Sequence, residues 1–195
     1  SSFKPLAAKA SCLTAMAVPE SGGETQWADM RAGYDALTDE TKQRIDGLCA
    51  LHSNYYSHEM LGQVPRTGDG YGFHTKGAPL RPLVKTHPET NRKSLYIGRH
   101  AYGIPGITEE QSEKLLAELI DLAAQPPRVT EHHWQLGDLA IWDNRRVLHR
   151  VAPYDYSQPR VMRHTRVAGN PATELAGTLP DVRATMYQPG QIALE

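Results

Sequence analysis

The chain has 195 residues, a formal net charge of −1, 39% apolar residues and 22% charged ones, the profile of one ordinary globular domain. That balance gives no electrostatic grip on nucleic acid or on an anionic membrane, and no apolar run approaches the roughly 20 residues needed to cross a bilayer. Two cysteines, Cys12 and Cys49, without a C-x-x-C pair, make no disulfide framework, so a reducing, cytoplasmic compartment is expected.

The start, Ser1-Ser2-Phe3, lacks an initiator methionine and runs almost at once into a strand-like segment. No charged region followed by an apolar run marks a signal peptide there. An excised or longer polypeptide is the expectation.

Residues 8–18 are small and apolar and predict a strand, ended by the turn residues Pro19, Ser21, Gly22 and Gly23. A short helix is predicted over 29–37. Thr38 is a good N-cap for a second, with Asp39 and Glu40 in the first turn, where the helix dipole favours acids; it should end near 47–50. Residues 52–79 carry Gly, Tyr and polar residues without a period, as a functional lid or long loop does. Strands over 81–85 and 94–98, separated by turn-forming residues, predict a hairpin. Thr108 and Gln111 form a capping box. It opens the clearest helix, whose apolar face is Leu115, Leu116, Leu119, Ile120 and Ala123; Pro126 and Pro127 end it. Short strands follow over 128–134, 139–142, 147–150 and 160–167, a pattern of sandwiches and barrels. From Asn170 onward, Pro and Gly punctuation predicts an extended or mobile tail over 170–195, after a domain over 1–169.

The chemistry concentrates between Trp134 and Gly169. His149 ends a predicted core strand and can offer a neutral imidazole nitrogen to a metal. Arg160 begins the next strand and offers a planar fork that matches a carboxylate. A metal ligand beside a carboxylate clamp is what a chelating 2-oxo acid requires. A lone His beside an Arg is more often a structural pair; the surrounding residues decide between the two.

Those residues are Gly137-Asp138-Leu139-Ala140-Ile141-Trp142-Asp143-Asn144, then His149 and, eleven positions on, Arg160. With Gly22-Gly23-Glu24-Thr25, the run from Asp29 to Leu37, Arg81-Pro82-Leu83-Val84-Lys85 and Leu95-Tyr96-Ile97-Gly98, the chain resembles the TauD/TfdA family of Fe(II)- and 2-oxoglutarate-dependent dioxygenases over about residues 1 to 170. The resemblance implies a mainly β fold with flanking helices (α+β), a cupin-like jelly roll or double-stranded β-helix. It implies a 2-His-1-carboxylate iron site, with His149 as the distal histidine. It implies Arg160 and Thr25 as the holders of the far carboxylate of 2-oxoglutarate. Trp142-Asp143-Asn144 would be the turn that positions the histidine, with Asp143 structural.

The other two iron ligands of the family come from a His-x-Asp motif. The chain contains no His-x-Asp or His-x-Glu; by the Thr25 register the aspartate would fall one residue before Ser1. Upstream residues are expected to supply it. The rival reading is a truncated, non-catalytic β-helix domain that binds a small acid or a partner.

On a regular strand, Arg160, Met162, His164 and Arg166 share one face and Arg163 points away. Relatives of known substrate carry an anion-binding arginine where this chain has His164. The strings around Arg81 and Arg99-His100 resemble the (S)-phenoxypropionate branch, so Arg99, His100 and His164 are the candidate substrate-binding residues. The expected cofactors are Fe(II), 2-oxoglutarate and O2. The expected partner is a small anionic substrate, an aryloxyalkanoate or a sulfonate or sulfate ester, hydroxylated next to its heteroatom with release of succinate and CO2. A homo-oligomer is expected. His132 and His133 are neighbours on a strand and face opposite ways, so they read as surface or cover residues. His52, His58 and His74 read as solvent-exposed by default, and His87 as structural. For Tyr55 and Tyr56, lid and ordinary packing stay open. No G-x-S-x-G, H-E-x-x-H, P-loop or G-x-G-x-x-G supports a hydrolase or nucleotide site.

Overall fold

The computed structural model describes residues 1–66, 68 and 70–186. In chain order it forms β1 (Ala8–Ala17), β2 (Thr25–Asp29), α1 (Met30–Asp35), α2 (Asp39–Ile45), β3 (Cys49–His52), α3 (Asn54–Glu59), β4 (Ala78–Pro82), β5 (Val84–Thr86) and β6 (Lys93–Leu95). Then come β7 (Ala101–Tyr102), α4 (Glu109–Ala123), β8 (Val129–His132), β9 (Leu139–Asp143), β10 (Val147–Val151), β11 (Val161–Ala168), α5 (Pro171–Glu174), β12 (Thr178–Leu179) and α6 (Val182–Met186).

Two three-stranded antiparallel sheets, β11-β1-β9 and β10-β2-β8, face each other as the layers of a jelly roll do. Across the gap, Trp142 of β9 meets Trp27 of β2 at 5.5 Å and His149 of β10 at 5.0 Å between ring centroids. Pairing register shows which residues share that inner face. On the first sheet, Ser11 lies opposite both Trp142 and Arg166, and Leu13 opposite His164. The alternate residues Leu139, Ile141, Val161 and Val167 point outward and are exposed.

The main apolar core lies beside these sheets rather than between them. It joins Met30 and Leu37 to Ile45, Leu83 and Leu95, and to the face of α4 formed by Leu115, Leu116, Leu119 and Ala123. The capping box of α4 is complete: the Thr108 hydroxyl accepts from Gln111 N at 3.2 Å, and the Gln111 side chain accepts from Thr108 N at 3.1 Å. Thr38 likewise caps α2. The β5–β6 hairpin forms as the sequence predicts. Among the described residues, no helix is long and apolar enough to cross a membrane.

Three expectations need correction. The 52–79 stretch is no plain loop: α3 occupies part of it, capped by Ser53, with Tyr55 and Tyr56 in the core. One turn and a half buried on nearly every side shows no amphipathic period. Second, β2 fills the interval between the expected turn and the expected first helix, where no element is predicted, and β3 lies where the second helix is expected to end; each is short and pairs only with strands distant in sequence. Third, the segment after Asn170 is structured through Met186: Asn170 caps α5, β12 pairs with β4, and Glu174 is completely buried against Lys85 Nζ at 2.7 Å. A glutamate in an aperiodic run reads as solvated; here a cation from β5 takes it inside. Residues 187–195 of the expected tail lie outside the described residues.

Candidate metal and 2-oxo acid site

The β10–β2 register sets His149 opposite Trp27 and Val151 opposite Thr25. Thr25 is 1% exposed, and its hydroxyl oxygen accepts from Trp134 Nε1 at 2.9 Å. That bond leaves the Thr25 proton free to donate. Two residues earlier, Gly23 has φ +71°, and a Cβ there would lie 3.0 Å from both Cδ and Nε of Arg160. The glycine thus makes room for the arginine. Its carbonyl accepts from Arg160 Nε at 3.0 Å, which aims the guanidinium. The far nitrogen, Nη2, is buried without a hydrogen-bond partner. A buried, unsatisfied donor on a charged group is costly, and a carboxylate oxygen is the acceptor that best relieves it. The donor set of Arg160 and Thr25 therefore fits the carboxylate of a 2-oxo acid.

His149 is walled by protein while its cleft edge stays open to water. Burial first, then the chain's amino terminus, His164, Arg166 and Arg99, lower its pKa to about 4. The ring is neutral at pH 7, with a lone pair to give a metal. His149 is, however, the one expected iron ligand this chain supplies. The single three-residue grouping of ligand atoms among the described residues is His87, Glu89 and Asp143, within 4.8 Å of one another.

That grouping has the composition of a metal site, but its ligand atoms are committed. His87 Nδ1 accepts from the backbone N–H groups of Glu89 and Thr90, both at 3.2 Å, so its Nε2 carries the proton and donates to Asp143 at 3.0 Å. Arg145 donates to both oxygens of Asp143 (2.9 and 2.6 Å) and to both of Glu89 (3.2 and 3.1 Å). Its guanidinium holds Asp143 well below the usual carboxylate range, against the effect of burial. A cation already fills the centre, so we read the grouping as a latch. It ties the turn after β5 to the turn between β9 and β10, and hence braces the strand that carries His149. Asn144 completes the brace by bonding Ser11 Oγ and Ala8 O. The structural role expected for Asp143 and His87 agrees with this geometry.

The residues expected on the substrate side separate. Arg99 is exposed at the mouth of a cleft of about 430 Å³ lined also by Tyr96, Ile97, Leu148 and His149. His164 stacks on Trp142 at 6.0 Å and is bonded by Arg166. His100 also borders the cleft, but its Nδ1 is 2.7 Å from Ser57 Oγ and its ring meets Phe3 at 4.8 Å; burial above all lowers it to about 2. His132 bonds Asp138 and packs edge-on against Trp134, while His133 reaches Glu24 and Glu131, the opposed directions expected of strand neighbours.

His52 escapes sequence reasoning. Far from exposed, it is 2% accessible, lines the same cleft, and has no partner on either ring nitrogen. Burial holds it at about 3. The alternating burial of β3 turns it inward, and the run Cys49-Ala50-Leu51-His52 carries no alternation in sequence that marks it.

Residues 1–166 match the model of the taurine catabolism dioxygenase TauD, TfdA family. The chain belongs to the TauD/TfdA family. Among its relatives is the (S)-phenoxypropionate/alpha-ketoglutarate-dioxygenase of Sphingobium herbicidovorans, 51% identical over 180 residues, covering 90% of this chain and 63% of that protein. Another is the alpha-ketoglutarate-dependent 2,4-dichlorophenoxyacetate dioxygenase of Cupriavidus pinatubonensis, 43% identical over 166 residues, covering 84% and 56%. The crystal structure of AAD-2 in complex with Mn(II) and N-oxalylglycine superposes with a TM-score of 0.79 at 47% identity, covering 87% of this chain and 66% of that one. The likeness establishes the double-stranded β-helix fold. The chain spans about three-fifths of the length of these relatives.

Proposed function

We propose that this chain is the part of an Fe(II)/2-oxoglutarate-dependent dioxygenase that supplies the distal histidine, His149, and the 2-oxoglutarate anchor, Arg160 with Thr25. The observation that carries the reading is the buried, unpartnered Nη2 of Arg160, held by Gly23 at the edge of the inter-sheet space. Iron, when bound, would activate O2 as the oxidant, with 2-oxoglutarate oxidised to succinate and CO2 as the co-reductant. The chain's own residues hold the far carboxylate, offer one neutral imidazole and wall the site with Trp27 and Trp142. Ser1 and Ser2 line the same cleft as His149, which supports a reading in which residues joined before Ser1 would bring the family's His-x-Asp to that imidazole.

The substrate in this reading is a small organic anion such as an aryloxyalkanoate or a sulfate ester, hydroxylated next to its heteroatom. Among the described residues no carboxylate pairs with Arg99, Arg160 or Arg166. Cations without counter-charges around one space are a field for anions. Further packing is expected on the exposed outer residues Leu139, Ile141, Val161 and Val167, from the rest of a longer polypeptide or from a second copy.

The test is turnover by a full-length polypeptide containing this chain, given Fe(II), 2-oxoglutarate, O2 and (S)-phenoxypropionate. Succinate and phenol in equal amounts, lost in H149A, are expected. No succinate with any aryloxyalkanoate or sulfate ester would leave the binding-domain reading in place.

A further inference from the structure

We propose that His52 is a positioning residue of the metal site, its ring N–H donating to a carboxylate that binds the metal beside His149. This rests on the reading above that the cleft holds a metal and a 2-oxo acid. All of the chain's histidines but two make a hydrogen bond among the described residues. The two are His149 and His52, and both line the same cleft with Ser1 and Ser2.

β3 delivers His52 to that cleft. Ala50 and His52 share its inner face, 0% and 2% exposed. His52 lies opposite Ala101 of β7, and Ser53 N donates to His100 O at 2.8 Å, which fixes the strand end. The Tyr96 ring lies beside the imidazole at 6.2 Å and 30°. Burial first, then Arg81 and the chain's amino terminus, keep the ring neutral at pH 7. A neutral imidazole carries one N–H and one lone pair, and burying both without a partner is costly. Both nitrogens of His52 are closed to water, whereas His149 has an open edge. His52 thus backs the cleft, and the role that fits is to hold a ligand of the metal.

Arg81 decides the kind of partner. It is 3% exposed and donates to the carbonyls of Ser2, Lys4, Pro5 and Glu174 at 2.6–3.2 Å. It therefore lends positive charge to the neighbourhood while its hydrogen bonds go elsewhere. Glu174, whose charge also acts on Arg81, is held by Lys85 at 2.7 Å. An acceptor that brings negative charge to His52 is favoured there. Carboxylates that bind a metal are steadied by such outer donors, and loss of the donor costs about tenfold to a hundredfold in metal affinity. Two carboxylates meet the metal in this reading, one from residues joined before Ser1 and one from 2-oxoglutarate.

The test follows Mn(II) binding by EPR in the full-length polypeptide, with and without 2-oxoglutarate, in wild type, H52F and H52Q. Circular dichroism checks that each variant is folded; should H52F fail to fold, H52M reads the same loss. H52F is expected to bind roughly tenfold more weakly or worse, and H52Q, which keeps an N–H, to recover part. Weakening without 2-oxoglutarate assigns the protein's own carboxylate as the partner; weakening only in its presence assigns that of 2-oxoglutarate. The number of nitrogens coupled to Mn(II) should be the same in wild type and H52Q. A nitrogen lost in H52Q would make His52 a ligand and overturn the positioning role. Unchanged affinity under both conditions in a folded H52F or H52M overturns the proposal alone. A wild type that takes no Mn(II) removes the functional reading and the proposal with it.

Discussion

Replacing Arg145 by methionine tests the claim that the His87–Glu89–Asp143 grouping is a latch. Arg145 is 5% exposed, and methionine keeps much of its stem. Removing one partner of a buried ion pair costs about 3–5 kcal/mol. The Asp143 side chain is 24% exposed and keeps donors from His87 and from the Arg145 backbone N–H. Those lower the expected loss to about 2–3 kcal/mol; the Glu89 arm, fully exposed, adds nothing to that figure. The pH dependence has a definite sign. The folded pKa of Asp143 is depressed, so its contribution is complete above the unfolded value of about 4 and is lost as pH falls below it. Urea denaturation should therefore show a larger difference between wild type and R145M at pH 7 than at pH 3. Equal differences at both pH values, or a loss under about 0.5 kcal/mol, as at an ordinary surface site, would refute the latch. So would stabilisation of wild type by Mn(II) that disappears in E89A.

Gly23→Ala should cost about 1–2 kcal/mol for its left-handed backbone and also displace Arg160, weakening 2-oxoglutarate in a calorimetric titration. Gly47→Ala, at φ +73° with open space around its Cβ position, should show the backbone cost alone. Lys85→Met strands the fully buried Glu174 and is expected to cost about 3 kcal/mol, more than Glu174→Gln, in urea denaturation. His52 titrates at about 3 in the fold and near 6.5 when unfolded. Its contribution is thus complete above pH 6.5 and is lost as pH falls toward 3, and H52F should flatten the stability–pH curve across that window.

Local signals were legible because their causes are local. Thr108 with Gln111, and Thr38 alone, place helix starts through side-chain caps, and α4 advertises its buried face by spacing. The close interval between His149 and Arg160 sets one on β10 and the other just before β11, in opposite sheets, and the roles proposed for both come from that pattern and the family resemblance. What stayed hidden depends on distant partners. β2 exists through β8 and β10, and Glu174 is buried because Lys85 arrives from 89 positions away. His52 looks like any loop histidine until β3 is seen buried between β4 and β7. The latch is likewise invisible in sequence, since Arg145 gathers acids from two separate turns.

The most direct measurement of the central claim is the affinity of 2-oxoglutarate for the full-length protein with Mn(II), in wild type and R160M, by isothermal titration calorimetry. If Arg160 Nη2 is the waiting donor for the far carboxylate, R160M should bind roughly a hundredfold more weakly while remaining folded. Unchanged affinity in a folded R160M would contradict the account.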